Sequence, residues 1–312
     1  MKLNNRLFFT CLASFSFILT ACSTKDDSVK NGTRDNTPVI LIPTADQTET
    51  IGNQKIVFDL SHKTEGYIMV KYNGNNSKVK VQIKNPNDET LYSYDVLEGF
   101  NTYPLTGGSG SYTFTAWENV KESEYSLLYK KQVEITLKDE YTTFLYPSQF
   151  VNFTKDTKAV SLGQEVAKGA DTDLDVVSQI YDYVIETISY DDDKAQKVKD
   201  GKLNGYLPNI DKTLETKKGI CFDYASLMAT MLRTQNIPTR LLIGYVQTST
   251  ESIYHAWIGV YIQDVGWIDD FIQFDGKNWS MMDPTFASEN HNSNTIKDFI
   301  SNTNNYSVKY IY

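Results

Sequence analysis

A single cysteine at the predicted start of a helix is the first candidate for chemistry in this sequence. Cys221 ends the segment 218–221 (KGIC), and apolar residues at helical spacing follow it at once, so its thiol lies at or just before a helix N-terminus. Unpaired backbone N–H groups and the helix dipole favour a thiolate there. The competing interpretation is a small buried hydrophobic side chain, a common role of free cysteine. The position at the helix start favours a reactive thiol.

A cysteine nucleophile needs a nearby base, usually histidine, and the chain holds three histidines. His255 begins a predicted strand of alternating apolar residues, which would fix its backbone in a sheet. His291 lies in a loop rich in Asn and Ser, and His62 belongs to a different predicted domain. Elimination leaves His255 as the candidate base.

A third group would orient the imidazole of that base, and Asp283 is the candidate. It ends a predicted apolar strand and is followed by Pro284, which places its carboxylate at a strand end. The same pattern is typical of an ordinary Asp-Pro turn. The local sequence alone favours the turn.

Helices followed by strands would position these groups. Apolar residues three and four apart predict helices over 174–188 and 222–234. Alternation of apolar and polar residues predicts the later strands, and these elements together indicate an α+β domain over residues 141–312. The predicted strands are 240–246, 257–262, 267–274 and 279–282, with a hairpin turn at 275–278.

Residues 38–140 have a different, strand-like pattern. Short alternating runs are separated by turn signals rich in Gly, Asn and Pro, which predicts an all-β, sandwich-like domain. The sequence assembles no site here, so we expect a spacer or a binding module. The clearest runs are 56–60, 66–72, 79–83, 112–117 and 133–137.

The chain begins with the layout of an export signal. Lys2 and Arg6 precede an apolar run over residues 7–19, which is shorter than the roughly 20 residues of a membrane-spanning helix. Small residues then lead to Cys22 and resemble a bacterial lipobox, in which Cys22 becomes the lipidated first residue. A plain signal peptide, with Cys22 as a spare thiol, is the alternative. We expect a signal at residues 1–21 and an outward-facing anchor on a bacterial membrane.

Charge and cysteine count agree with export. Removal of residues 1–21 takes away two basic residues and no acidic one, so the net charge changes from −9 to −11. An acidic exported chain does not fit a nucleic-acid binder. Of the three cysteines, Cys11 would leave with the signal and Cys22 would carry lipid, so Cys221 would remain as the free thiol. The polar residues 22–37 are expected to form a flexible tether.

Taken in order, several short blocks of the second half resemble the transglutaminase-like superfamily. The resemblance implies a papain-like α+β core in which Cys221 attacks an amide carbonyl, His255 exchanges its proton and Asp283 orients the histidine. A thioester would follow, and its acceptor would decide between crosslinking, deamidation and peptidase activity. The blocks are 218–221 with the helix after it, 237–240 leading to 244–245, 255–257, Trp279 and 283–285.

The resemblance also points to Tyr190 as an oxyanion-stabilising donor, because the family often has an aromatic residue there. A packed tyrosine is an equal alternative. Two features depart from the family pattern: residues 266–274 intervene before the strand that leads to Asp283, and Phe222 follows the nucleophile. We expect residues 266–274 to add a strand near the cleft. We expect Phe222 to alter the acyl pocket.

We expect no metal and no other cofactor. Residues 191–193 lack the alternating ligands and the glycine of a calcium loop, and no second His or Cys lies near His255 at ligand spacing. The expected substrates are amides of proteins or cell-wall peptides. The alternative from another functional class is a non-catalytic surface lipoprotein that binds a partner or serves as a scaffold.

Overall fold

The computed structural model describes residues 32–86, 90–247, 251–269, 272–274, 279–281 and 306–312. Asn31–Tyr312 cluster as one unit, in which an all-β region precedes a set of helices and a second set of strands. The predicted mixed fold, with the all-β region first, is confirmed. No helix within the described residues is long and apolar enough to cross a bilayer.

Two four-stranded antiparallel sheets make up the first region. Their bounds are β1 Thr50–Gly52, β2 Ile56–Asp59, β3 Tyr67–Tyr72, β4 Val79–Lys84, β5 Leu91–Asp95, β6 Asn101–Pro104, β7 Gly110–Lys121 and β8 Glu124–Ile135. One sheet has the order β1-β2-β3-β6 and the other β5-β4-β7-β8. Phe58 of the first sheet and Phe114 of the second are fully buried, with ring centroids 5.9 Å apart. Alternating apolar residues therefore face each other across a sandwich.

Five helices and a short strand pair follow. Their bounds are α1 Lys158–Val166, α2 Asp173–Thr187, β9 Ser189–Tyr190, α3 Asp192–Lys199, α4 Ile210–Thr216, β10 Lys218–Gly219 and α5 Cys221–Thr234. Thr172 and Asp175 form a reciprocal capping box at the start of α2. α1, α2 and α4 all pack on α5, which is buried along nearly its whole length. α5 is thus the central helix of this region.

A third four-stranded antiparallel sheet covers another side of α5. The remaining strands are β11 Thr239–Gln247, β12 Ser252–Ile262, β13 Gly266–Ile268, β14 Ile272–Phe274, β15 Trp279–Met281 and β16 Tyr306–Ile311. The sheet order is β13-β12-β11-β16, and α5 packs directly on β11 and β12. β14 and β15 form a separate antiparallel pair. The predicted turn at 275–278 lies outside the described residues.

The single strand predicted over 267–274 is wrong, because the chain divides into β13 and β14 around Asp269. The guanidinium of Arg240 donates to both carboxylate oxygens of Asp269, at 3.0 and 3.1 Å. The same guanidinium stacks 3.7 Å above the ring of Trp267. The indole N–H of Trp257 donates to the backbone oxygen of Asp269. These tertiary contacts hold Asp269 at the end of β13.

The last residues of the predicted tether are not free. Arg34 donates to the carboxylate of Asp173 at 2.7 Å and to the backbone oxygen of Gln235 at 2.6 Å. The backbone N–H of Val39 donates to the oxygen of Thr234. A cation is stabilised beside the carbonyls that end a helix, here α5, so residues 32–37 lie against the helices. The other residues assigned to the tether, 22–31, lie outside the described residues.

Buried side chains join the all-β region to this third sheet. Tyr92 of β5 makes edge contacts with Tyr310 and Tyr312, at centroid distances of 5.6 Å. The buried Arg233 of α5 donates to the backbone oxygens of Tyr146, Thr239 and Tyr312. One buried cluster therefore runs through both regions.

Candidate active site

Cys221 is the first residue of α5, as the sequence predicts. The residue before it, Ile220, is extended (φ −96°, ψ 174°), so the chain turns into the helix at the cysteine itself. The thiol is unpaired and partly exposed. The first backbone N–H groups of a helix have no partner inside the helix. A thiolate here, or an oxyanion formed beside it, would lie close to these donors.

Asp223 fixes the chain just before the cysteine. Its side chain is fully buried, and one carboxylate oxygen accepts the backbone N–H of Ile220 at 2.8 Å. The same oxygen accepts the ammonium of Lys194 at 2.9 Å, and the other oxygen accepts the hydroxyl of Tyr206 at 2.5 Å. Burial and the contact with this carboxylate raise the pKa of Tyr206, so its hydroxyl stays protonated and donates.

The parallel pair of β9 and β10 holds Tyr190 beside the approach to Cys221. Tyr190 pairs with Gly219, and the neighbouring N–H groups of Ser189 and Asp191 donate to the oxygens of Lys217 and Gly219 at 2.9 Å. The ring of Tyr190 is half-buried and packs against the main core. This packing agrees with the structural interpretation of the residue, and its part in oxyanion binding stays a prediction.

Gly219 leaves room for the carboxylate of Asp223. A Cβ at this position would lie 2.7 Å from the Cβ of Asp223, closer than two carbon atoms can approach. A larger residue would therefore move either the strand β10 or the first turn of α5. Close packing explains the glycine two residues before Cys221.

His255 lies near the start of β12, opposite Gly244 of β11. It is 5% exposed, and its ring stacks on that of Trp257 with centroids 6.2 Å apart. Side chains alternate along a strand, so these two rings share one face, while Tyr254 and Ala256 belong to the other. Ala256 lies in the buried cluster that contains α5.

Tyr254 of β12 lies within electrostatic range of the thiol of Cys221. Burial raises the pKa of Tyr254 to about 12, and the charges of Tyr310, Tyr245 and Cys221 act in the same direction. Its ring makes an edge contact with Tyr245 at 5.4 Å, yet the residue remains 54% exposed. The structure thus brings the start of β12 beside the start of α5, which carries Cys221.

The structure leaves the predicted triad untested. The elements that carry Cys221 and His255 pack on each other. Asp283 lies outside the described residues, as do Cys22 and His291. The assignment of Cys221, His255 and Asp283 as a catalytic triad stays a prediction.

His62, in the all-β region, lies between two carboxylates. Its Nε2 lies 3.0 Å from the carboxylate of Asp46, and its Nδ1 lies 3.3 Å from that of Glu65. The ring stacks on Tyr67 at 5.3 Å. These contacts join the segment before β1 to the turn before β3. We interpret the cluster as structural, because it holds these two segments together.

Sequence reasoning missed Asp223, Lys194 and Tyr206. One signal was present, since an acidic residue at the third position of a helix often accepts the N–H of the residue before the helix. Lys194 and Tyr206 come from α3 and from the loop after it, and local sequence gives no sign that they meet α5.

This arrangement places a partly exposed thiol at a helix start, with a buried ion pair below it and a sheet beside it. Residues 160–269 match the model of the transglutaminase-like superfamily. The resemblance inferred from the sequence motifs is confirmed over this range, which is about a third of the chain and includes Cys221 and His255. The match supports a cysteine-dependent enzyme in general terms.

Comparison with individual proteins gives more distant similarities. The chain is 28% identical over 240 residues to a UPF0252 protein of Methanocaldococcus jannaschii, covering 72% of this chain and 67% of that one. Among solved structures, a proposed cysteine protease from Cytophaga hutchinsonii is 19% identical, with a TM-score of 0.36 over 70% of this chain and 78% of that one. Red sea bream transglutaminase is 12% identical, with a TM-score of 0.30 over 75% of this chain and 53% of that one.

Proposed function

We propose that this protein is a surface-anchored cysteine enzyme that transfers or hydrolyses acyl groups of protein or cell-wall peptide amides. The observation that carries the proposal is the partly exposed thiol of Cys221 at the first residue of α5, beside the start of β12. A thiol at a helix N-terminus is suited to attack, because the helix start stabilises both the thiolate and a developing oxyanion.

The reaction has two halves. His255 takes the proton of Cys221, the sulfur adds to the amide carbonyl carbon, and the C–N bond breaks as the proton passes to the leaving nitrogen. Asp283 orients the imidazole for both transfers. The resulting thioester then reacts with water, which gives hydrolysis or deamidation, or with a primary amine, which gives a crosslink. In each case Cys221 leaves as the thiol.

The test reads all three possible products in one assay. The purified protein is incubated with glutamine-containing proteins or cell-wall peptides and a labelled primary amine, and mass spectrometry reads amine incorporation, deamidation and peptide cleavage. Cys221→Ala is expected to lower turnover at least about a thousandfold, and His255→Ala and Asp283→Asn by comparable factors. His62→Ala, in the all-β region, is the matched control and should retain activity if it folds.

Two results would contradict the enzymatic proposal. Undiminished product formation by Cys221→Ala would exclude this nucleophile. A wild-type protein whose Cys221 reacts with iodoacetamide no faster than free cysteine, and which forms no product from any donor, would favour the non-catalytic binding or scaffold lipoprotein.

The proposed location has its own test. Cys22→Ser removes the expected lipid attachment point and should move the protein from the membrane fraction to the soluble exported fraction without changing turnover. Retention of the variant in the membrane fraction would contradict anchoring through Cys22.

A further inference from the structure

The charged cluster beneath the start of α5 consists of Asp223, Lys194 and Tyr206. The side chain of Asp223 is fully buried, and that of Lys194 is 23% exposed. A buried carboxylate has lost its hydration and is stable only where hydrogen bonds and a counter-charge replace water. The N–H of Ile220, the ammonium of Lys194 and the hydroxyl of Tyr206 supply this replacement. The chemistry proposed for Cys221 assigns no role to these side chains.

We infer that Asp223 and Lys194 are positioning residues for the Cys221 thiolate, an inference that rests on the proposed function. Asp223 pins the peptide between Gly219 and Ile220, so the chain enters α5 in one conformation and the sulfur leaves the helix in one direction. Lys194 balances the charge of Asp223, so a carboxylate two residues from the nucleophile does not oppose thiolate formation. The cluster holds the nucleophile and keeps its surroundings electrically neutral.

Lys194 is well placed for this role because it bridges both partners. Its ammonium donates to the carboxylate of Asp223 and lies 3.1 Å from the hydroxyl oxygen of Tyr206. It also lies 5.0 Å from the centroid of the Tyr206 ring. α3, which carries Lys194, is itself capped by Asp191, whose backbone N–H donates to Gly219 of β10. The cation is therefore anchored to the same strand that leads into Cys221.

Other charged and titratable groups lie on the elements that surround the same helix start. Asp191 caps α3, Lys218 lies in β10, Tyr190 in β9, and Tyr254 and His255 in β12. All of these groups are unchanged in the variants described next. Differences between the variants therefore report on the pair of Asp223 and Lys194.

The test measures the rate at which iodoacetamide alkylates Cys221 in the full-length protein between about pH 5 and 10. Lys194→Met leaves the carboxylate without its counter-charge, so the pH midpoint of alkylation should rise by about half a unit. Asp223→Asn keeps an oxygen that can accept the N–H of Ile220 but leaves Lys194 unbalanced, so the midpoint should fall by about half a unit. A purely structural role does not move the two midpoints in opposite directions.

Matched variants separate the local charge from general effects. Lys202 forms an exposed ion pair with Asp200. The Lys202→Met variant should therefore have the same pH midpoint of alkylation as the wild type. Lys194→Arg keeps the positive charge, so its pH midpoint of alkylation should stay at the wild-type value. If Lys194→Met does not fold, Lys194→Gln, which removes the charge but keeps a donor, carries the same expectation.

The inference is overturned if the folded variants of Lys194 and Asp223 keep the wild-type midpoint, or if both midpoints shift in the same direction. Alkylation reports on the thiol and requires no substrate. Opposite shifts in a protein that forms no thioester with any amide donor would sustain the positioning role and refute the proposed function. Normal turnover without any shift would sustain the proposed function and refute the positioning role.

Discussion

Asp223 accepts the backbone N–H of Ile220 at 2.8 Å and thereby ties the first turn of α5 to the residue before Cys221. A similar contact occurs in α2, where Asp175 accepts the N–H of Thr172 at 2.9 Å. The two carboxylates occupy the third position of their helices. They differ in surroundings, because Asp175 is exposed whereas Asp223 is buried against Lys194.

This difference predicts unequal losses of stability. Asp223→Ala leaves a largely buried ammonium and a buried N–H without their acceptor, so it should lower the free energy of unfolding by about 3 kcal/mol. Asp175→Ala removes an exposed cap and should cost about 1 kcal/mol. Urea unfolding at neutral pH measures both values. Equal losses would show that the buried ion pair adds nothing to the cap.

The close approach of Gly219 to Asp223 predicts a steric effect on Cys221. Gly219→Ala brings a methyl group within 2.7 Å of the Asp223 side chain and should cost about 1–3 kcal/mol, with slower alkylation of Cys221 at pH 7. Gly163→Ala in α1 is the control, because its new Cβ lies 3.4 Å from Met231 and alanine favours a helix. Unfolding curves and alkylation rates that match between the two variants would refute the steric explanation.

The contacts of Glu65 predict that the stability of the folded protein depends on pH. Burial alone would raise the pKa of Glu65, but hydrogen bonds from Lys138 and Tyr146, together with the nearby ring of His62, outweigh it and hold the pKa below its ordinary 4.5. A carboxyl group whose pKa is lower in the folded state contributes stability above the unfolded pKa. That contribution disappears as the pH falls through the folded pKa.

Glu65→Gln should therefore lower the free energy of unfolding at pH 7 by roughly 0.5–1 kcal/mol, and its difference from the wild type should shrink below about pH 4.5. Unfolding curves at several pH values between about 3 and 7 measure this change. Glu98→Gln, at an exposed position, should show no comparable effect. A difference that stays constant across the range would mean that the charge of Glu65 is not involved.

Local sequence patterns located the elements of the site but not the contacts between them. The period of apolar residues placed the helix start within one residue of Cys221, because that period is a property of the segment itself. Lys194 and Tyr206 reach Asp223 from 29 and 17 residues away along the chain, and no local pattern encodes such contacts. The division of the strand predicted over 267–274 likewise depends on Arg240, a residue of another strand.

The position of β16 constrains the order in which this protein can mature. β11 lies between β12 and β16, so the strand that pairs with His255 has one edge open until residues 306–311 dock. During synthesis, α5 and its thiol emerge long before that last strand. The half-built sheet would expose an unpaired edge that invites pairing with other chains. A chain that lacks residues 306–311 would therefore expose the edge of β11 beside the helix that carries Cys221.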